Sequence, residues 1–516
     1  MKCIIQVITI VFTAFLLAAC NERSADLPEP GLPEEVRRIM SENRDNVLLQ
    51  YFDDIFANFL TSDFDKEIDT RTAGVVRRHT TEDIISLFLN PSAAHQTDRL
   101  APAIYREELV RDIYFLFDLL RYGYAGYQYF GGDNVFLPLR DSILERLEGI
   151  NSMRILSYLS NLLVPSLQNI IADNHFIIQG RRMNAPNYVL FMNENFIIRN
   201  TENGYTVEMG GTIYKILETV AGDGQPVKAV LPTLTPQGEF ARAFGRVASV
   251  TDFNANRITV LLSNIKTDET RSLIVSLRRV DPFSPLSHSQ LEVHEAAGVT
   301  ILENRCNITD NRQEAEEYFY RSGYLLRDKP ILIIDLRAHR GGLSRLANAW
   351  MRGYTGKEQI HQLAFNQFVL TTFTSMELMG MGPSLVQGVI QEYEANPPKW
   401  RLPALPQHSR IQNENLVIVL VDKITGSAGE CFIGYLRQLE NVIFVGTNTA
   451  GTSTFGSIVG TRLPYSGLDI MFGVTLNLRS DLSKFEGVGF IPDLWVPPRE
   501  SLERVLRFVE RYGLAR

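Results

Sequence analysis

The hydrophobic pattern changes period twice along the chain. From Val47 to Leu147 apolar residues recur at helical spacing, over Val47–Leu60, Thr81–Leu89, Arg106–Leu120 and Phe136–Leu147. Such spacing predicts amphipathic helices. Ile155–Ile171 continues the helical face, with Pro165 predicting a kink or the opening of a second helix. Asp173-Asn174 stops it, and HFIIQG (175–180) predicts a short strand, so that His175 falls at a junction. Tyr188–Val280 then alternates short Val/Ile/Tyr/Phe runs with turn signals at Asn203-Gly204, Gly210-Gly211 and Asp223-Gly224, which predicts a separate β-rich module.

From Val299 the rhythm is strand–helix–strand. VTILENRC precedes a helical Asn311–Leu326, then PILIIDLR (330–337), a helical Leu343–Tyr354, a strand Phe365–Thr374 and a helical Pro383–Ala395. A Pro-rich loop (397–406) leads to Leu416–Val421, a continuous β-branched run of the kind buried on both faces. Strands at Val442–Val445 and near Asp469–Asn477 complete the pattern. The alternation predicts an α/β fold with a largely parallel sheet.

The joint after Leu416–Val421 carries the first candidate chemistry. In Thr425–Glu430 (TGSAGE) Gly426 allows a sharp turn and Ala428 opens a helix. Ser427 is therefore either the helix N-cap or a nucleophile presented on a strand-to-helix turn. Three other segments gather polar groups at element ends: DLRAHRGG (335–342), Asp173-Asn174-His175, and FEGVGFIPDLWV (485–496) with Glu486 before a glycine turn. Taken one at a time, each has an ordinary structural reading as cap, turn, core histidine or surface carboxylate. The aromatic set Tyr122, Tyr124, Tyr127, Tyr129 and Phe130 is expected to be core packing or a loop plug.

Composition narrows the class only slightly. The 516 residues suit about three domains, and 45% hydrophobic with 21% charged residues is ordinary for a globular protein. A net charge of −8 disfavours nucleic acid as a partner. Lys2, the apolar Ile4–Ala19 and Leu17-Ala18-Ala19-Cys20 form a charged region, an apolar region and a small-residue cleavage site. That quartet resembles a bacterial lipobox, which implies lipidation of Cys20, attachment to a lipid bilayer through an acyl anchor, and an exported, membrane-anchored location on the periplasmic or cell-surface side. Glu22–Glu35 is expected to be a solvated tether. Cys306 and Cys431 are expected as free thiols. No metal-ligand spacing and no P-loop lysine occurs, so no metal and no cofactor is expected.

The order DLRxxxGG, S-A-G-E, GTNTAG (446–451) and EGVGFIPD resembles the S41 peptidases, the tail-specific, C-terminal-processing and tricorn-type serine proteases. The resemblance spans roughly His175 to Val496. It implies a ClpP/crotonase-like spiral α/β core with a helical N-terminal domain, an inserted PDZ-like module and a polypeptide substrate. The tail-specific branch pairs its serine with a lysine, and that position here is Thr452, which cannot act as a base. The chain instead resembles the tricorn-like, histidine-based branch. That likeness implies Ser427 as nucleophile, His175 as base, Glu486 as the orienting carboxylate, and Asn174 and Glu430 in support. The Ala428 N–H, with that of Gly341 or Gly342, is expected to form the oxyanion hole. Asparagine in the family pattern is replaced here by His339, expected either to cap its turn or to shape substrate binding.

The expected organisation is a signal peptide over 1–20, a tether over 21–45, a helical N-terminal domain over 46–165, a histidine-bearing segment over 166–186, a β-rich PDZ-like module over 187–285 and a catalytic core over 286–516. The function expected is peptide-bond hydrolysis in the cell envelope by acyl-enzyme chemistry. The alternative is a non-catalytic peptide-binding or surface-interaction lipoprotein on the same fold. Oligomeric state is open at this level.

Overall fold

The computed structural model describes residues 31–45, 103–183, 187–285, 289–360, 365–369, 410–479 and 485–515. The helices expected at Val47–Leu60, Thr81–Leu89 and Pro383–Ala395, the Pro-rich loop and Cys20 lie outside those residues. A sheet of six strands organises the C-terminal half: β1 (Glu292–Ala296), β2 (Val299–Glu303), β3 (Ile331–Asp335), β4 (Leu416–Val421), β5 (Val442–Gly446) and β6 (Leu494–Trp495), in that spatial order. Only the β1–β2 pair is antiparallel.

Alternate residues of each strand enter different cores, as the two-residue pleat requires. Leu332, Ile334, Val417, Val419 and Phe444 pack with Phe319, Trp350 and Phe432. Those three side chains come from α4 (Arg312–Leu326), α5 (Ser344–Thr355) and α6 (Ala428–Leu436). Ile331, Ile333, Ile418, Leu420 and Ile443 face the opposite way, onto α1 (Glu34–Asp45) and α7 (Ser501–Arg511). Covering on both faces explains why β3, β4 and β5 are apolar without alternation.

Here the structure differs from the tether expected over 21–45. Val36, Ile39 and Met40 recur at helical spacing and are buried, and Glu34 and Glu35 sit in the first turn where the helix dipole favours carboxylates. The charge and proline content of the preceding stretch concealed this short apolar face. Helix α7 also went unpredicted, although Val505, Phe508, Val509 and Tyr512 form a clear stripe.

The helical segment is not a body apart. Helices α2 (Arg106–Gly123) and α3 (Asp133–Glu145), with a helix from 155 to 168 interrupted by a π turn at Leu159–Leu163, share one core with Phe176, Phe455, Ile470 and Phe472. A second sheet joins Phe365–Val369, Asp469–Arg479, Ile177–Ile178 and Arg181–Arg182, with Phe455–Arg462 also paired to Asp469–Arg479. Ile177 lies opposite Met471, so the histidine-bearing segment is laced into the C-terminal half. Residues 188–276 form an antiparallel sheet with its own core around Val207, Phe244, Ile258 and Val260, and its described residues contain no helix. The expected β-rich module is therefore present as strands.

Candidate active site

Ser427 sits at the joint between β4 and α6 with φ 50° and ψ −116°. A β-carbon residue in that region carries about 1–3 kcal/mol of strain. Its side chain makes no capping bond to α6, which removes the ordinary N-cap reading. The turn is held by Asp422, fully buried, whose Oδ1 accepts the main-chain N–H groups of Ile424, Thr425 and Ala338 at 3.1, 3.1 and 2.9 Å. Thr425 Oγ1 donates to Leu336 O at 2.8 Å, and Gly426 N–H to His339 O at 2.9 Å. The serine turn and the glycine turn after β3 are thus stitched together.

Gly341 and Gly342 have φ 103° and 117°, a conformation that favours glycine. A β-carbon on Gly341 would lie 3.0 Å from Ser427 Cβ and 3.4 Å from Oγ. The glycine turn therefore runs against the serine side chain. His339, fully buried, accepts the Gly341 N–H on Nδ1 at 3.1 Å and meets Asn307 Oδ1 through Nε2 at 3.3 Å. Burial lowers this imidazole to about 3, so it is neutral and acts as the cap of its turn. The Gly341 N–H is consequently committed to His339.

A single segment, 449–455, links every other candidate. Glu430, one turn into α6 and fully buried, accepts from Thr449 Oγ1 at 2.5 Å, Gly451 N at 2.6 Å, Thr452 N at 2.9 Å and Ser453 Oγ at 2.8 Å. Thr452 Oγ1 in turn accepts the Ser427 N–H at 2.8 Å. The threonine at the tail-specific lysine position thus fixes the serine main chain. Asn174 donates its N–H to Glu486 Oε1 at 3.0 Å and its Nδ2 to Gly451 O at 3.5 Å.

His175 is held from its main chain and its ring. Its N–H donates to Asp173 Oδ1 at 2.7 Å, and the ring meets the Phe455 main chain. Burial lowers the imidazole to about 4, which keeps it neutral and able to take a proton near neutral pH. Asp173 also accepts from Tyr124 Oη at 2.9 Å, and burial raises its carboxyl to about 7. Glu486 is raised well above the usual carboxylate range, first by burial and then by the charge of Asp173. The tyrosine cluster behaves as expected: Tyr124 packs edge-on against Phe176 and Phe472, and Tyr127 stacks on Phe136.

The sequence reading missed the part that three residues play in this network. Tyr124 and Asp173 gave no motif beyond the element junction. Lys423, four residues before the serine, gave one signal: a lone lysine two residues after the end of a fully buried strand. Its Nζ donates to Thr449 O at 2.9 Å, Ala450 O at 3.0 Å and Gly487 O at 2.8 Å. Among the described residues no cluster of His, Cys, Asp and Glu could hold a metal ion, and Cys306 and Cys431 are not joined in a disulfide.

Solved structures similar to this chain include mature CPAF in complex with lactacystin, at 15% identity over 79% of this chain and 97% of that one, with a TM-score of 0.39. The photosystem II D1 C-terminal processing protease matches at 14% identity over 78% and 97%, with a TM-score of 0.35. The tricorn protease matches at 14% over 80% of this chain and 37% of that one, with a TM-score of 0.31. No curated protein matches the chain. The family comparison is the one that decides: residues 307–496, which contain the glycine turn, Ser427, Glu430 and Glu486, match peptidase family S41. The chain thus carries a peptidase family S41 region over residues 307–496, within an α/β fold.

Proposed function

We propose that the protein hydrolyses peptide bonds of polypeptides in the cell envelope with Ser427 as nucleophile and His175 as general base. The observation that carries this reading is the strained, non-capping Ser427 packed against a glycine turn. Ser427 Oγ attacks the peptide carbonyl carbon as its proton passes to His175. The oxyanion is received by the N–H groups of Ala428 and Gly342, each such donor commonly contributing about 10²–10³ in rate. Collapse expels the amine, which takes the proton from His175, and water then releases the acyl group by the same path. Glu486, through the Asn174 N–H, and Asp173, through the His175 N–H, fix the segment that carries the base. No cofactor enters these steps. Lipidation at Cys20 would tether the enzyme to a bilayer on the exported side.

The ring contact between His175 and Phe455 favours a second reading, a non-catalytic peptide-binding lipoprotein, because it engages the imidazole with a main-chain group. A fluorophosphonate probe separates the two. The soluble chain after Cys20 should be labelled, and Ser427→Ala and His175→Ala should not. A folded, unlabelled wild type would sink the catalytic reading.

A further inference from the structure

We propose that Lys423 is a positioning residue for acyl transfer: its ammonium clamps the loop that holds Ser427 to the turn that holds Glu486. The inference rests on the catalytic roles given to Ser427 and Glu486 above. All three Nζ hydrogens find main-chain carbonyls, two in the 449–450 stretch and one at Gly487. Each acceptor lies next to a working group. Thr449 and Ala450 precede Gly451 and Thr452, and Thr452 Oγ1 takes the Ser427 N–H. Gly487 follows Glu486 and donates its own N–H to Gly451 O at 2.7 Å. Gly451 O also takes Asn174 Nδ2, beside the proposed base. The lysine therefore stands at the crossing of the nucleophile arm and the base arm.

The protonated amine is the form that fits. An ammonium offers three donors to three carbonyls, whereas a neutral amine offers two and turns a lone pair toward the third. The charged groups facing it are Glu430 on α6 and Glu486 on the 485–487 turn, both of which favour the ammonium, and Asp173 faces Glu486 from behind. Burial works against them and brings the lysine down to about 8. The clamp should therefore release within the range where the enzyme can be assayed. Asp173 loses its proton on the same climb, while burial holds the Glu486 proton beyond the ordinary carboxylate range; charge on either would strengthen the hold on the ammonium and cannot itself release it.

The test follows the fluorophosphonate labelling rate from pH 6 to 9.5 in the soluble wild type, Lys423→Met and Lys423→Arg. Wild type should lose rate above pH 8. Lys423→Met should label at least tenfold more slowly at pH 7, without that alkaline fall. Lys423→Arg, always charged but unable to spread three bonds in the same way, should label at an intermediate rate with a flat alkaline limb. A Lys423→Met rate and profile equal to wild type would overturn the clamp while leaving the roles of Ser427 and His175 intact. If both variants fail to fold, the wild-type profile decides, and a flat rate to pH 9.5 overturns the clamp. An unlabelled wild type would remove the catalytic reading and this inference with it.

Discussion

Glu430 and Glu486 are two buried carboxylates near one serine, and their surroundings are opposite. Glu430 is encircled by donors from four of the five positions 449–453, all but Ala450, through their hydroxyls and N–H groups. Glu486 receives the Asn174 N–H on Oε1 and has the Thr454 hydroxyl beside it, while Oε2 is buried with no hydrogen bond of normal geometry among the described residues. A saturated carboxylate is a fastener, since every lone pair is spent on shaping a loop. An under-satisfied one keeps capacity for a charge that arises only during reaction, such as an imidazolium. The difference separates structural support from chemistry better than burial does, because both are almost wholly inaccessible.

The largest test of this contrast is Glu430→Ala. It strands the N–H groups of Gly451 and Thr452 and the hydroxyls of Thr449 and Ser453 in the interior. A loss on the order of 4 kcal/mol is expected, as for other buried networks that lose their charged partner. Urea denaturation followed by circular dichroism measures it, and a loss under about 1 kcal/mol would show that the donors find other acceptors. Glu486→Gln should behave the other way round. The amide keeps an oxygen for Asn174 N–H, so stability should stay within about 1 kcal/mol of wild type. Labelling by fluorophosphonate should nevertheless fall by about 10², the scale of a general acid–base contribution. Equal loss of stability and activity in both variants would erase the distinction.

Only half of this contrast was legible beforehand. The buried strand, the Gly426 turn and the order of motifs pointed to Ser427, Glu430 and Glu486, because local sequence dictates a strand-to-helix joint. Saturation was not legible, since the donors to Glu430 come from positions 449–453 and depend on how two loops meet. Lys423 was hidden for the same reason: its acceptors are carbonyls, and any residue supplies a carbonyl. Helix α1 was missed because its apolar face is only three residues wide at Val36, Ile39 and Met40. Asp173 read as a helix stop, which is also what its place in the chain makes it.

Asp173 sharpens the comparison through pH. Its folded carboxyl, raised from 3.8 to about 7 by burial, holds its proton better than the unfolded chain does. That contribution is complete below the ordinary value and is lost as pH rises through about 7. His175 runs the opposite way: lowered from 6.5 to about 4, it contributes above its ordinary value and loses that as pH falls through about 4. Asp173→Asn removes the first contribution, and with it the charge that helps to raise Glu486, and leaves that of His175 in place. Between pH 5 and 8 the variant should therefore gain stability relative to wild type, by roughly 2 kcal/mol. Parallel stability curves for the two proteins would mean that Asp173 ionises normally in the fold.

The smallest effect is expected at His339, and its smallness is the point. The imidazole is buried, neutral and beside the glycine turn, so by position alone it could be taken for a second base. Its hydrogen bonds argue otherwise: Nδ1 is spent on Gly341 N–H and Nε2 on Asn307. It resembles Glu430 in this, a group whose polar atoms are used up in holding shape. His339→Asn keeps a side-chain oxygen two residues before Gly341, the spacing at which asparagine caps its own turn. Stability should fall by about 1 kcal/mol, and labelling of Ser427 should change less than threefold with an unaltered pH profile. The glycine turn touching Ser427 would then be set by a cap that asparagine can replace, and a profile shifted by the substitution would instead give His339 a share in the proton transfer.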